Sequence, residues 1–216
     1  MAGVLAPFLP PLITWHNAVA DTSHTLSDFK SYRFADTWGG SDAAATAVVE
    51  AWFATGALSR LPPLPGAAAG LAALRDRGAR LVVVTSRQAA VAAQTADWLV
   101  ATYPGVFEGL GCGNAWGQTG RRVSKRELCA AAGAALLVDD NPAYCAEVGC
   151  DAVCFDLGGA YGWSKGGGWK GARAESWEEV VAVADKLVWG RGGGGADPRG
   201  ATPPIVGEEG TCTYMP

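Results

Sequence analysis

Short apolar runs alternate along the chain with longer segments of helical periodicity. The runs at residues 80–86, 134–140 and 151–157 predict strands buried on both faces, and residues 106–112 predict a weaker one. Helical segments separate these runs at the spacing of βαβ units. The pattern therefore predicts an α/β fold, with a parallel sheet that is covered by helices on both faces.

Capping residues mark where several of the helices begin. Ser124, followed by Glu127, forms a capping box, and Ser176 with Glu179 opens a final amphipathic helix. Each of these serines accepts the backbone N–H three residues on, which would otherwise lack a partner. Further helices are predicted from Pro65 to Gly78 and over residues 87–102 and 142–148.

Two regions lie outside the alternating pattern. Residues 18–60 carry aromatic-rich helical segments, one of them opened by Ser41, and predict a small helical insert over the edge of the sheet. Residues 190–216 are rich in glycine and proline and predict a disordered tail. We therefore expect one domain over residues 1–189, with a core over residues 61–189 outside the insert.

Composition narrows the function classes. The 216 residues are 49% hydrophobic and 18% charged, which suffices for one domain with a real core. A net charge of −4 without a Lys/Arg run argues against nucleic-acid binding, and no apolar run reaches the ~20 residues of a membrane span. The apolar N-terminus lacks the basic residues of a signal peptide. Six cysteines without a C-x-x-C pair predict reduced thiols, and no zinc site, in an intracellular protein of unassigned compartment.

Polar side chains collect where two of the predicted strands end. Thr85 and Ser86 follow one strand and Asp139 and Asp140 another, and carboxyl ends of parallel strands meet at one edge of a sheet. Lys125 stands in the first turn of a helix, where a cation is unfavourable unless an anion lies nearby. Hydroxyls, a lysine and hard carboxylate oxygens together favour a site for phosphate and Mg²⁺. A turn after Asp140 and a solvated Lys125 remain the plainer alternatives.

The order of three motifs resembles the haloacid dehalogenase-like (HAD) superfamily. "VVVTSR" looks like its second motif, the "SK" that contains Lys125 like its third, and "LLVDDNP" like its fourth. The stretches "YPGVFEGLGCGN" and "VDDNPAYCAEVG" are similar to the 5′(3′)-deoxyribonucleotidase-like branch. The resemblance covers about residues 4–188. It implies a HAD-like (Rossmannoid) three-layer sandwich in which residues 18–60 form the cap that selects the substrate.

The resemblance implies a role for each strand-end residue. Thr85 or Ser86 would bind the substrate phosphate, and Arg87 would reach the substrate. Lys125 would neutralise the phosphate and the reaction intermediate, and Asp139 and Asp140 would be the metal ligands. The implied function is Mg²⁺-dependent hydrolysis of a phosphomonoester, with 5′-nucleotidase action on nucleoside monophosphates as one form of it. The partner would be a small phosphorylated metabolite.

One departure from the family pattern concerns the nucleophile. The superfamily attacks phosphorus with the first aspartate of a D-x-D motif on the first strand. In this alignment the second aspartate falls on Ala2 and the first would precede Met1, so the first strand is incomplete. A shortened start and a non-catalytic binding or regulatory protein both explain this. A third possibility is that Asp21 or Asp28 serves instead, although neither ends an apolar run.

Overall fold

The structure is a computed structural model that describes residues 2–117, 119–166 and 168–190 and the backbone of residues 212–214. Helices and short strands alternate from residue 67 onward, as an α/β fold requires. Within those ranges, no helix combines the length and the apolar character that crossing a membrane demands. The α-helices are α1 (Leu9–Ala20), α2 (Ala35–Trp38), α3 (Asp42–Ala54), α4 (Ala67–Asp76), α5 (Ala92–Thr102), α6 (Lys125–Ala131), α7 (Pro142–Glu147) and α8 (Trp177–Ala184).

The strands form two three-stranded sheets. The first has the order β1-β2-β6, with β1 and β2 parallel and β6 antiparallel to β2. The second has the order β3-β4-β5 and is parallel throughout. The strands are β1 (Val82–Thr85), β2 (Gly109–Cys112), β3 (Leu136–Asp139), β4 (Asp151–Phe155), β5 (Ala172–Ala174) and β6 (Cys212–Tyr214).

The division into two sheets differs from the single parallel sheet that the sequence predicts. Across the described residues, no ladder of backbone hydrogen bonds joins β1 to β3. The buried segment at residues 2–6 contacts both halves of the molecule, but it folds as a turn. Gly3 has a φ of +70° and its N–H donates to the Ala6 carbonyl at 2.9 Å. Residues 2–6 belong to neither sheet.

The carbonyls of this turn are satisfied mainly by side chains. Tyrosine hydroxyls and a tryptophan N–H from surrounding elements donate to three consecutive carbonyl groups, which is how buried polar backbone avoids a desolvation penalty. The segment thereby links the helices that flank the two sheets. The pairs are Tyr161 Oη to Gly3 O (3.0 Å), Trp177 Nε1 to Val4 O (3.0 Å) and Tyr103 Oη to Leu5 O (3.2 Å).

The predicted helix starts at Ser41, Ser124 and Ser176 are confirmed. Each serine hydroxyl accepts the N–H of the third helical residue. At Ser124 the box is reciprocal, because Glu127 accepts the Ser124 N–H at 2.8 Å. This cap fixes the start of α6 and hence the position of Lys125, its first residue.

Two further regions are the segment predicted as an insert and the predicted tail. Helices occupy the segment predicted as an insert, but α1 already begins at Leu9, because Pro10 and Pro11 occupy its first turn, where an N–H is dispensable. The predicted disordered tail, residues 190–216, lies outside the described residues except at its start and at Cys212–Tyr214. Those three residues pair with β2 in the antiparallel direction.

Candidate functional site

One open cavity is lined by all the site residues that the sequence predicts. It lies at the carboxyl ends of β1 and β3 and has a volume of about 110 Å³. Helix α6 reaches it with its first residue. The structure therefore brings the predicted groups together, although they come from three separate elements. They are Thr85, Ser86, Arg87, Lys125, Asp139 and Asp140.

Lys125 and Asp139 form a buried ion pair on the cavity wall. Asp139 is 1% exposed and Lys125 6%. The Lys125 ammonium bonds Asp139 Oδ2, while Asp139 Oδ1 accepts the Asn141 N–H at 3.0 Å. The ammonium also lies 4.7 Å from the ring centre of Tyr144. Burial alone would lower the pKa of Lys125, but the Asp139 carboxylate raises it overall, so the lysine stays charged.

Asp140 is enclosed by a different set of donors. It is 4% exposed, and its Oδ2 accepts hydrogen bonds from the Tyr32 hydroxyl and from Trp163 Nε1, the latter at 3.2 Å. A side chain at Gly3 would collide with this carboxyl group. Burial raises the pKa of Asp140 to about 6, and the neighbouring charge of Asp139 adds to the effect. The two aspartates are thus held by different partners.

The backbone after β1 stays extended for longer than the sequence predicts. Ala115 N–H donates to Ser86 O at 3.1 Å and Asn114 N–H to Arg87 O at 3.0 Å. The helix predicted to begin at residue 87 therefore follows a 3₁₀ turn over Ala89–Val91 and begins, as α5, at Ala92. The Asn114 side chain accepts the Ala89 N–H at 3.0 Å. This N–H therefore already has a partner within the protein.

Arg87 lines the cavity as a second buried cation. Its Nη1 donates to Thr95 Oγ1 at 3.2 Å, and its guanidinium lies 5.9 Å from the ring centre of Phe8 and 5.7 Å from that of Phe53. Burial lowers the pKa of Arg87 to about 10, which leaves it charged at neutral pH. The aromatic faces favour this cation through the ring quadrupole.

The cavity also has an apolar wall, which comes largely from the segment that precedes the core. Sequence reasoning did not find these residues, although the aromatic enrichment of residues 18–60 was a signal. It also left open the role of Trp163, which covers the end of β3 at Asp140. Trp116, 41% exposed, adds an indole to the lining. The apolar lining residues are Phe8, Phe34, Ala45, Val49 and Phe53.

The two alternative nucleophiles lie elsewhere. Neither Asp21 nor Asp28 lines the cavity. Asp28 accepts the Thr25 N–H at 2.7 Å and caps a short 3₁₀ turn. Asp21 is the exposed C-cap of α1. Both side chains therefore have a local structural role or a solvent-exposed position.

Whether Mg²⁺ can bind in the cavity depends on which side chains there can serve as its ligands. The described residues contain no group of three or more His, Cys, Asp or Glu side chains placed to hold a metal ion. Asp139 and Asp140 offer two carboxylates with hard oxygen atoms. Mg²⁺ commonly binds proteins through one or two carboxylates and completes its coordination with phosphate and water. The pair therefore fits a magnesium ion that shares its coordination with a bound phosphate.

The fold and the cavity together define an α/β protein in which cations and carboxylates meet at the carboxyl ends of two strands. Comparison of the chain with protein-family models and with curated proteins gave no match. Function is therefore argued from the chemistry of the cavity, because an α/β fold supports many unrelated activities.

Proposed function

We propose that the cavity binds a phosphomonoester together with Mg²⁺, and that the protein is a HAD-like phosphomonoester hydrolase. The observation that supports this is the gathering of Thr85, Ser86 and Lys125 with the Asp139–Asp140 pair around one cavity. A small phosphorylated metabolite is the proposed substrate, and a nucleoside monophosphate is one such compound. The apolar wall would take the organic part of the substrate.

Different residues supply the positive charge and the hydrogen bonds that would hold a phosphate group. Lys125 and Arg87 supply positive charge from buried positions, where charge acts more strongly than in bulk solvent. The hydroxyls of Thr85 and Ser86 can donate hydrogen bonds to phosphate oxygens. A bound Mg²⁺ would supply further charge neutralisation at the phosphoryl group.

A second candidate function is phosphate binding without catalysis. Ala2 lines the cavity where the family resemblance places a carboxylate, and a methyl group can neither attack phosphorus nor transfer a proton. Tyr32 and Trp163 also occupy Asp140 Oδ2. These observations favour weak or absent turnover in this chain, with ligand binding retained.

Calorimetry and a phosphate-release assay on the full chain test both candidates. Inorganic phosphate is titrated with and without Mg²⁺, and a panel of phosphomonoesters is assayed for turnover. We expect Lys125→Met to abolish phosphate binding and Lys170→Met, an exposed lysine outside the cavity, to leave it unchanged. Turnover supports the hydrolase, and binding without turnover supports the second candidate. Absence of both binding and turnover would overturn the two together.

A further inference from the structure

A cluster of thiols lies beside the second sheet, away from the cavity lining. Cys129, Cys145 and Cys154 are buried in one small apolar cluster, and the half-buried Cys150 packs against it. Cys129 belongs to α6, and Cys150 immediately precedes β4. These two cysteines interact with each other, as do Cys145 and Cys154. Neither pair is used by the proposed phosphate site.

The Cys129–Cys150 pair is chemically asymmetric. Hydrogen bonding with Cys150, together with burial, raises the pKa of Cys129. The same hydrogen bond lowers the pKa of Cys150 to about 7. Cys150 is also the more exposed partner. A solvent-reachable thiolate beside a buried thiol is the arrangement of a reactive cysteine with its resolving partner.

We propose that Cys129 and Cys150 form an oxidant-sensitive dithiol, a modification site that responds to hydroperoxides. The Cys150 thiolate attacks the peroxide oxygen, the O–O bond breaks, and Cys150 becomes a sulfenic acid while one water leaves after protonation. The Cys129 sulfur then attacks the Cys150 sulfur, the S–O bond breaks, and a second water leaves. Two thiols are thus oxidised to one disulfide, and one hydrogen peroxide is reduced to two waters.

The other pair in the cluster is a poorer site for this chemistry. Cys145 Sγ donates to the Asp139 carbonyl at 3.7 Å, and Cys154 Sγ accepts from Arg173 Nη1 at 3.7 Å. Both thiols are buried, so neither offers a peroxide the access that Cys150 offers. The surrounding protein therefore directs oxidation to Cys150.

A Cys129–Cys150 disulfide would tie α6 to the start of β4. Cys129 lies one helical turn after Lys125, so the link restrains the helix that carries the buried ammonium. Closing a loop of this kind removes conformational freedom from the unfolded chain. We expect the oxidised protein to melt several degrees above the reduced protein, whether or not the cavity binds phosphate.

Peptide mapping of the full chain tests the proposal. The reduced protein is treated with equimolar hydrogen peroxide, remaining thiols are alkylated, and the chain is cleaved after glutamate and before aspartate. The four cysteines then fall on separate peptides, because Asp139, Glu147 and Asp151 lie between them. We expect Cys129 and Cys150 to be recovered as one disulfide-linked pair. A different pairing, or four alkylated cysteines, would overturn the proposal.

Two variants separate the chemical steps. In Cys129→Ala, Cys150 should accumulate as a sulfenic acid that dimedone captures, because its resolving thiol is absent. In Cys150→Ser, peroxide should leave Cys129 alkylatable, whereas Cys145→Ala, the matched change in the other pair, should still form the disulfide. Dimedone capture at Cys145 or Cys154 in place of Cys150 would contradict the assigned roles, even if one variant failed to fold.

Discussion

At the scale of single residues, the buried Lys125–Asp139 ion pair is the feature whose loss should most affect the free energy of unfolding. Both charged groups lose their hydration on folding, and the attraction between them compensates for that loss. Lys125→Met should lower the free energy of unfolding by about 3–5 kcal/mol, because Asp139 would remain buried without its cation. Urea denaturation measures the loss.

The control for this prediction is an ion pair at the surface. Arg77 pairs with Asp185 at 2.5 Å, with both side chains well exposed. Arg77→Met should leave the free energy of unfolding nearly unchanged, because exposed pairs gain little over hydration. Similar losses for the two variants would show that the Lys125–Asp139 pair behaves as a solvated one.

The reactivity of Cys150 gives a second prediction at this scale, with a defined pH dependence. Its pKa is lowered to about 7, chiefly by the hydrogen bond with Cys129. The thiolate is therefore the minor form below pH 7 and the major form above it. Alkylation of Cys150 by iodoacetamide, followed on its isolated peptide, should rise through pH 7 and then level off. Cys129→Ala removes the hydrogen bond and should move the midpoint to higher pH, and an unmoved midpoint would contradict this cause.

At the scale of elements, the capping box of α6 links local sequence to the cavity. Ser124→Ala should cost about 1 kcal/mol of stability, because the N–H of Glu127 loses its acceptor. The same change should weaken phosphate binding, since Lys125 is the first helical residue after the cap. Ser176→Ala removes the equivalent cap from α8, which contributes no residue to the cavity lining, and is the matched control. We expect a similar loss of stability there without the loss of binding, as measured by urea denaturation and calorimetry.

Elements whose signals are local could be predicted from the sequence. The strands that end at Thr85 and Asp139 follow from their apolar runs, and α6 follows from its capping box. The start of the helix after β1 could not be predicted, because Asn114, distant in the chain, holds the intervening backbone extended. The enclosure of Asp140 by Tyr32 could not be predicted either, since 108 positions separate the two residues. Contacts between segments that are distant in the chain leave no periodic pattern in the sequence, so sequence patterns cannot predict them.

At the scale of the whole molecule, side chains and helices join the two halves. No backbone ladder connects β1 to β3 in the part of the chain that the structure describes. The predicted single sheet is divided in two, and residues 2–6, whose carbonyls contact Tyr161 and Trp177, form a turn. Helix α4, which precedes β1, packs against α8, which follows β5. This helix contact and the N-terminal turn make the two sheets one folded unit.

Trp177 takes part in both the α4–α8 contact and the N-terminal turn, and its ring packs closely against Gly70. A Cβ at Gly70 would lie 2.6 Å from Trp177 Cε3 and 3.1 Å from Trp177 Cβ. In an open helix, alanine would be preferred to glycine by about 1 kcal/mol. Here the collision should outweigh that gain, because overpacking a core costs about 1–3 kcal/mol and displacing Trp177 also endangers its bond to Val4 O. Gly70→Ala should therefore destabilise the protein in urea denaturation.

The matched control is Gly149→Ala, where an added Cβ would meet no atom within 4 Å and φ is not positive. That change should be neutral or stabilise the protein by up to about 1 kcal/mol, by reducing the freedom of the unfolded chain. The contrast between two identical substitutions isolates the packing at Trp177 from the general effect of replacing glycine. If both variants gained stability, α4 and α8 would have room to separate, and the contact would not be what unites the two sheets. A loss confined to Gly70→Ala would instead show that the close packing of α4 against Trp177 of α8 stabilises the fold.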